Sequence, residues 1–462
     1  MKKGTLLLCL MYNLVMSQNI TTDKNLQITK YLGSITNDFH VPGMVVAISN
    51  STELEYLNSF GAISTDNNFI IGSNSKSFTA LIVLRLQEKG LLSIDDPVVK
   101  YLPWFEFQNT QVSNKISIKN LLNHTSGLST EMGRIFFASH EKQEEVQLKI
   151  TDLIKSVAVD QYPIERYDYS NLNYQLLGFI IEKVSGKEYN LVFKEEITEV
   201  FDLKNTSSLL PKNLAQGYQP FLYYSIIPIT SRYHKVDIPM GYINSNANDL
   251  STYTRELMNA FNHDTTSIIS HKIAAELFRS VDTTQSKYAL GWHTMTYKNC
   301  KIFSHGGLVQ GFNSAIIIAP ELEKSIVVLT NHYGESAIPA SLGVLSLLLN
   351  KKPTQPSRTP YFLIRSLPFL VLLFIVLFTL IFKKWLRNNR PHGVTKKPIP
   401  NILAALGLLI GLSWTLYLPN LFRATIRNTL QFDITSGLSL VLLSALTLAI
   451  SIILYFNSLK TS

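Results

Sequence analysis

Cysteine is nearly absent from this chain: two thiols, Cys9 and Cys300, in 462 residues. A disulfide framework is excluded, and stability has to come from a hydrophobic core, which a region of some 330 residues can supply. Acidic residues are missing from the C-terminal part. Residues 351–462 hold thirteen Lys or Arg against one Asp, so +12 sits there and −3 on the other 350 residues, although the whole chain counts +9. The basic excess therefore belongs to the tail, and with no basic–aromatic patterning elsewhere a nucleic-acid partner is not expected. No histidine pair or carboxylate cluster has metal-ligand spacing, so neither a metal nor another cofactor is expected. Internal repeats are absent too.

What the tail does have is long apolar runs. Three stretches, at about 361–382, 399–418 and 434–455, are apolar enough to cross a bilayer, the first if Arg365 snorkels to the interface. The link Lys383–Lys397 carries six basic and no acidic residues, which places it in the cytoplasm and everything upstream of the first span outside. At the other end, Met1-Lys2-Lys3 precedes an apolar stretch to Met16, with small-residue cleavage expected before Gln18. The expected organisation is a signal peptide at 1–17, a domain at 18–350, a proline-rich linker at 351–360 and a transmembrane region at 361–462.

Within the domain, Ser73 and Lys76 form an S-x-x-K pair in Phe69-Ile-Ile-Gly-Ser-Asn-Ser-Lys-Ser-Phe-Thr-Ala80, at the start of a helix expected to run to about Lys89. A three-residue step puts both side chains on one helix face, where an amine can take a hydroxyl proton. Ser75 and Ser77 point away. Tyr169-Ser-Asn171 opens a second helix, whose apolar positions repeat to Val184 before a stop at Gly186. A phenol beside a lysine ammonium loses its proton more easily, and Asn171 offers both a donor and an acceptor. The third element is His305-Gly-Gly307, on a strand before apolar runs at 315–318 and 326–329 that read as antiparallel strands. Glycines there give clearance for another backbone, and the Leu308 amide could join that of Ser73 in an oxyanion hole. Singly, each has a structural reading: a solvated helix face, a packed tyrosine with a capping asparagine, a hairpin histidine.

Together, in this order, they resemble the serine β-lactamase and penicillin-binding-protein superfamily, specifically its class C-like branch. Leu121-Leu-Asn-His-Thr-Ser-Gly-Leu128 matches as well, with His124 read as a packed loop residue. The resemblance covers about residues 25–350. It implies Ser73 as nucleophile, Lys76 as its activating amine and Tyr169 as base and proton relay. Asn171, His305, Gly307 and Leu308 would line the cleft.

One departure bears on substrate: His305 stands where penicillin-recognising members often have Lys. A histidine near its ordinary pKa is mostly neutral at pH 7, so its pull on a substrate carboxylate is weaker. The implied function is a serine hydrolase at the outer face of a bacterial cytoplasmic membrane. It would act on a D-amino-acid peptide, a D-alanyl ester or an N-acyl peptide prodrug. The alternative is a penicillin-binding or wall-fragment-sensing protein with little turnover.

The expected fold is α/β of β-lactamase/transpeptidase type. An amphipathic helix at 25–39 and a strand pair at 41–50 and 53–61 precede a mostly helical middle. Strands return at 288–292 and 301–331, and a helix follows at 338–349. An antiparallel sheet assembled from both ends of the domain would thus be flanked by helices, with a helical lobe inserted and a three-helix transmembrane region behind it.

Overall fold

The computed structural model describes residues 23–135, 140–164, 166–221, 225–231, 233–263, 268–280, 287–354, 366–388, 401–417, 426, 429–430 and 433–459. The expected signal peptide and most of the expected linker lie outside these residues. The chain divides into two compact units, Met1–Tyr218 with Pro228–Gln355, and Gln219–Ile227 with Pro356–Ser462.

In the first unit, helix α1 (residues 23–38) leads into β1 (Gly43–Ser49) and β2 (Leu54–Gly61). Two short pairings interrupt the middle. β3 (Phe69–Ile70) pairs with β6 (Asn244–Ser245), and β4 (Gly217–Phe221) with β5 (Ser225–Ile229), most of whose residues are counted with the second unit. The late strands are β7 (His293–Tyr297), β8 (Cys300–Val309), β9 (Phe312–Ala319) and β10 (Lys324–Thr330). They join the early ones in an antiparallel six-stranded sheet ordered β2-β1-β10-β9-β8-β7. The pairing of β1 on β10, which joins the early strands to the late ones, sets Val46 opposite Val328.

The three central strands β1, β9 and β10 are buried almost end to end, so both faces of the sheet are covered. Alternation divides their side chains between two cores. Val45, Ile316 and Val327 join the larger core with α2 (Ser75–Glu88), α3 (Asn171–Ser185) and α4 (Ala247–Asn262). Val46, Ile317 and Val328 pack with α1 and α5 (Ala337–Leu348). The stretch between β3 and β7 is mostly helix and loop, as the sequence suggests, with only the short strands β4–β6 in it. Helix α3 ends on Gly186 in the left-handed region (φ 67°), the expected stop.

One strand is displaced from its expected place. Tyr288–Trp292 is not a strand: Tyr288 makes only an isolated bridge to His293, and β7 begins there. The apolar run is buried because it is a loop pressed onto α2. Gly291 (φ +79°) passes so close that a Cβ would lie 2.8 Å from the Lys76 carbonyl oxygen.

The second unit holds α6 (Leu367–Asn388), α7 (Asn401–Leu416) and α8 (Ile434–Leu459). Among the described residues two helices are long and apolar enough to cross a membrane, at Leu367–Arg387 and Ile434–Tyr455, where the sequence suggests three spans. The middle helix has 16 described residues, which rise about 24 Å against the ~30 Å hydrocarbon core. It packs on α8 through small residues: a Cβ at Gly411 would lie 2.9 Å from Leu448 Cδ2, and Ser444 Oγ donates to the Gly411 carbonyl at 2.7 Å.

Candidate active site

The turn carrying Ser73 is fixed from three sides. The Ile71 amide donates to the Ile243 carbonyl, Ser314 Oγ donates to the Ile71 carbonyl at 2.6 Å, and Asn74 Nδ2 donates to Ser314 Oγ at 2.7 Å. Gly72 takes φ +56° in a 3₁₀ turn, Gly72–Asn74, that precedes α2. Ser73 therefore lies just ahead of the α-helix, not in its first turn. Ser75 and Ser77 are engaged elsewhere, Ser75 Oγ accepting from the Ile243 amide and Ser77 Oγ donating to the Asn74 carbonyl.

Lys76 is wholly buried, and its Nζ sits 3.0 Å from Ser73 Oγ, 2.8 Å from Asn171 Oδ1 and 2.6 Å from the Met240 carbonyl oxygen. Burial holds its pKa well below the usual lysine value, which favours the neutral amine. A neutral amine has two N–H groups and one lone pair. Met240 O and Asn171 Oδ1 can only accept, so they take both N–H groups. The lone pair is left for the Ser73 hydroxyl. Met240, in the π-helical turn Ile238–Tyr242 before β6, carries no sequence signal for this role because its carbonyl, not its side chain, makes the contact.

The Tyr169 ring lies 5.0 Å from Lys76 Nζ. Its hydroxyl is buried and makes no hydrogen bond of good geometry among the described residues. Burial raises its pKa well above the ordinary phenol value, and the nearby Ser73 hydroxyl offsets this only in part. Sequence reasoning expected an ammonium to ease loss of the phenol proton. Instead burial favours the neutral amine and holds the proton on Tyr169.

His305 is buried and likewise neutral, its pKa pushed well below normal chiefly by burial. Nδ1 is 2.7 Å from the Gly306 carbonyl, which can only accept, so Nε2 is the nitrogen that accepts from the Tyr288 hydroxyl at 3.1 Å. The expected weak pull on a carboxylate follows. Gly307 is where two backbones meet, but the approaching backbone is the chain's own. A Cβ there would stand 2.0 Å from the Ile71 carbonyl oxygen, and one on Gly72 would stand 2.6 Å from the Leu308 amide nitrogen. Leu308 is thereby brought beside the Ser73 turn.

An open cleft of about 920 Å³ is lined by Ser73, Tyr169, His305, Gly307 and Leu308, together with His293, which sequence reasoning missed. Burial lowers the His293 pKa to about 4. Neither His293 nor Tyr288 belongs to a recognisable motif; only the fold brings them to the third element. No group of three or more potential metal ligands occurs among the described residues.

His124 is packed, as read from its sequence, and it clamps the Tyr169 loop. Its carbonyl accepts from the Asp168 amide, and its Nδ1 lies 3.2 Å from the Ser170 amide and 2.9 Å from Asn173 Nδ2. Residues on both sides of Tyr169 are thus held by one side chain and its backbone. His124 takes φ +61°, which asparagine tolerates better than most residues. His124→Phe should lower stability by about 2–4 kcal/mol by stranding two buried donors. His124→Asn should recover a good part of that in thermal unfolding; equal losses would contradict the clamp.

The Beta-lactamase family profile matches residues 28–348. The chain belongs to that family. Helices α6–α8 lie outside the matched span. Among curated relatives, Protein flp of Staphylococcus aureus (strain MW2) is 26% identical over 330 residues, covering 68% of this chain and 64% of its own. This chain thus spans 64% of that relative's length. Penicillin-binding protein 4* of Bacillus subtilis (strain 168) is 28% identical over 315 residues, covering 63% of this chain and 68% of its own. In structure, the octameric penicillin-binding protein homologue from Pyrococcus abyssi superposes with a TM-score of 0.61 at 24% identity, over 72% of this chain and 79% of that one. This member of the family is therefore homologous to penicillin-binding proteins and shares their α/β architecture.

Proposed function

We propose that this chain is a membrane-anchored serine hydrolase that works through an acyl-enzyme on Ser73. The observation that carries the reading is the buried Lys76 amine, held by Asn171 Oδ1 and the Met240 carbonyl with Nζ 3.0 Å from Ser73 Oγ; burial favours its neutral form. Ser73 Oγ attacks an amide or ester carbonyl while its proton passes to Lys76 Nζ. The oxyanion is held by the amides of Ser73 and Leu308. Collapse breaks the bond to the leaving group, which takes a proton from the Lys76–Tyr169 pair; Tyr169, held protonated by burial, is the donor side of that relay. Water then attacks the ester and gives its proton to Lys76, and Ser73 leaves with a proton restored. Asn171 orients the amine, and His305 lines the cleft.

The substrate is an amide or ester outside the cytoplasmic membrane: a D-amino-acid peptide, a D-alanyl ester or an N-acyl peptide prodrug. Two bilayer-length helices and the basic link after the first support anchoring, with the catalytic unit outside. A fluorescent penicillin or fluorophosphonate should label the full-length protein on the peptide containing Ser73, and Ser73→Ala should abolish both labelling and turnover. Undiminished labelling of the Ala variant would place the nucleophile elsewhere. Labelling without release of the acyl group would favour a penicillin-binding or sensing role.

A further inference from the structure

The cleft does not stop at Ser73. On the β7 side, the ladder of β8 ends at the His293–Ser304 pair, while β8 itself continues to Val309. Residues 305–309 therefore have no strand neighbour on that side among the described residues. In an extended strand successive side chains point to opposite faces. His305 and Gly307 face the helical lobe, with Tyr288 and Ile71 as neighbours. Gly306 faces the other way, where a Cβ would stand 2.8 Å from Ile338 Cδ1 at the start of α5.

That second face is a groove continuous with the Ser73 cleft. Its walls include Met295, Leu308, Ile338 and Leu342. Met295 is 41% exposed, Leu308 40% and Ile338 49%. One exposed aliphatic side chain is ordinary, but three lining the same cleft as Ser73 are not. Charge does not compete for the site. The cleft is lined by one Lys and one Glu, Lys287 and Glu335, and its two histidines are neutral.

We propose that this groove is a subsite for an aliphatic substituent of the substrate, a leucine-sized side chain or a medium-length acyl chain. The inference rests on Ser73 being the acylated residue. A substrate lying along the open edge of β8 with its carbonyl at Ser73 sends one substituent toward Tyr169 and His305. The next goes over Gly306 onto Ile338, Met295 and Leu308. Gly306 keeps the floor clear for it.

The test compares p-nitrophenyl acetate with p-nitrophenyl hexanoate on the full-length protein. Each fully buried methylene is worth roughly fourfold in kcat/KM. Partial burial of four should make the hexanoate at least about tenfold better. Ile338→Asp and Met295→Asp change side chains at the solvent boundary and should fold; each should bring the hexanoate/acetate ratio to within about threefold of unity. Because the ratio is taken within each variant, any general loss of activity cancels. A flat chain-length profile in the unmodified protein, or an unchanged ratio in both variants, overturns the subsite while fluorophosphonate labelling of Ser73 leaves the hydrolase reading intact. Absence of both labelling and ester turnover overturns the two together.

Discussion

Lys76→Met is expected to reduce kcat/KM by about 10²–10⁴-fold, the range lost when a positioned proton acceptor is removed. Methionine occupies a similar volume, so the packing of α2 is largely kept. The variant strands the Met240 carbonyl and Asn171 Oδ1, at about 1–3 kcal/mol each, but also relieves the burial of an amine. The second effect partly offsets the first, and the protein should remain folded by circular dichroism. The pH profile separates chemistry from structure. Lys76 works deprotonated, and burial lowers its pKa well below 10.5, so turnover should rise with pH and level off well short of pH 10.5. Tyr169 works protonated, and its raised pKa keeps the profile flat into the alkaline range. In Lys76→Met the acid limb should vanish with the activity. A profile in the unmodified protein that climbs only above pH 10 would contradict a neutral amine.

Gly307→Val should have the largest effect of any single change in the third motif. Its Cβ would stand 2.0 Å from the Ile71 carbonyl oxygen and 2.4 Å from Ser314 Oγ. Backbone cannot yield as a side-chain tip can, so β8 and the Ser73 turn must separate. Overpacking of this kind costs roughly 1–3 kcal/mol or more. A displacement of about 1 Å at the reacting groups costs on the order of 10² in rate. For stability Gly306→Ala is the control, because the nearest atoms its Cβ meets are at the flexible end of Ile338. Thermal unfolding of the two variants should diverge sharply. Similar behaviour would mean that β8 is not wedged against Ile71.

The contrast between these adjacent glycines shows what a linear reading can reach. Ser73 and Lys76 were legible because their spacing is local and one helix face enforces it. The order of the three motifs was equally visible. Tyr288, His293 and the Met240 carbonyl were not, since each reaches the site only through contacts far apart along the chain. The protonation states were missed for a related reason. A phenol near an amine suggests an ionised pair, but burial of both groups outweighs their proximity and favours two neutral ones. In the fold, strands β9 and β10 were read from β-branched runs. Tyr288–Trp292 was misread because burial against α2 gives a loop the same apolar composition as a strand. Among the apolar tail segments, composition counted three spans, while helix length among the described residues separates the short middle one.

The pairing of β1 with β10 has a consequence for biogenesis. Met44 meets Thr330, so the seam between the early and late strands cannot close until nearly three hundred intervening residues have left the ribosome. Contacts so distant in sequence slow folding and leave early strands with unpaired edges in the meantime. If the chain crosses the bilayer in an unfolded state, this late closure works in its favour. The sheet stays open until the final strand has emerged on the far side, and the serine–lysine pair gains its rigid backing only there.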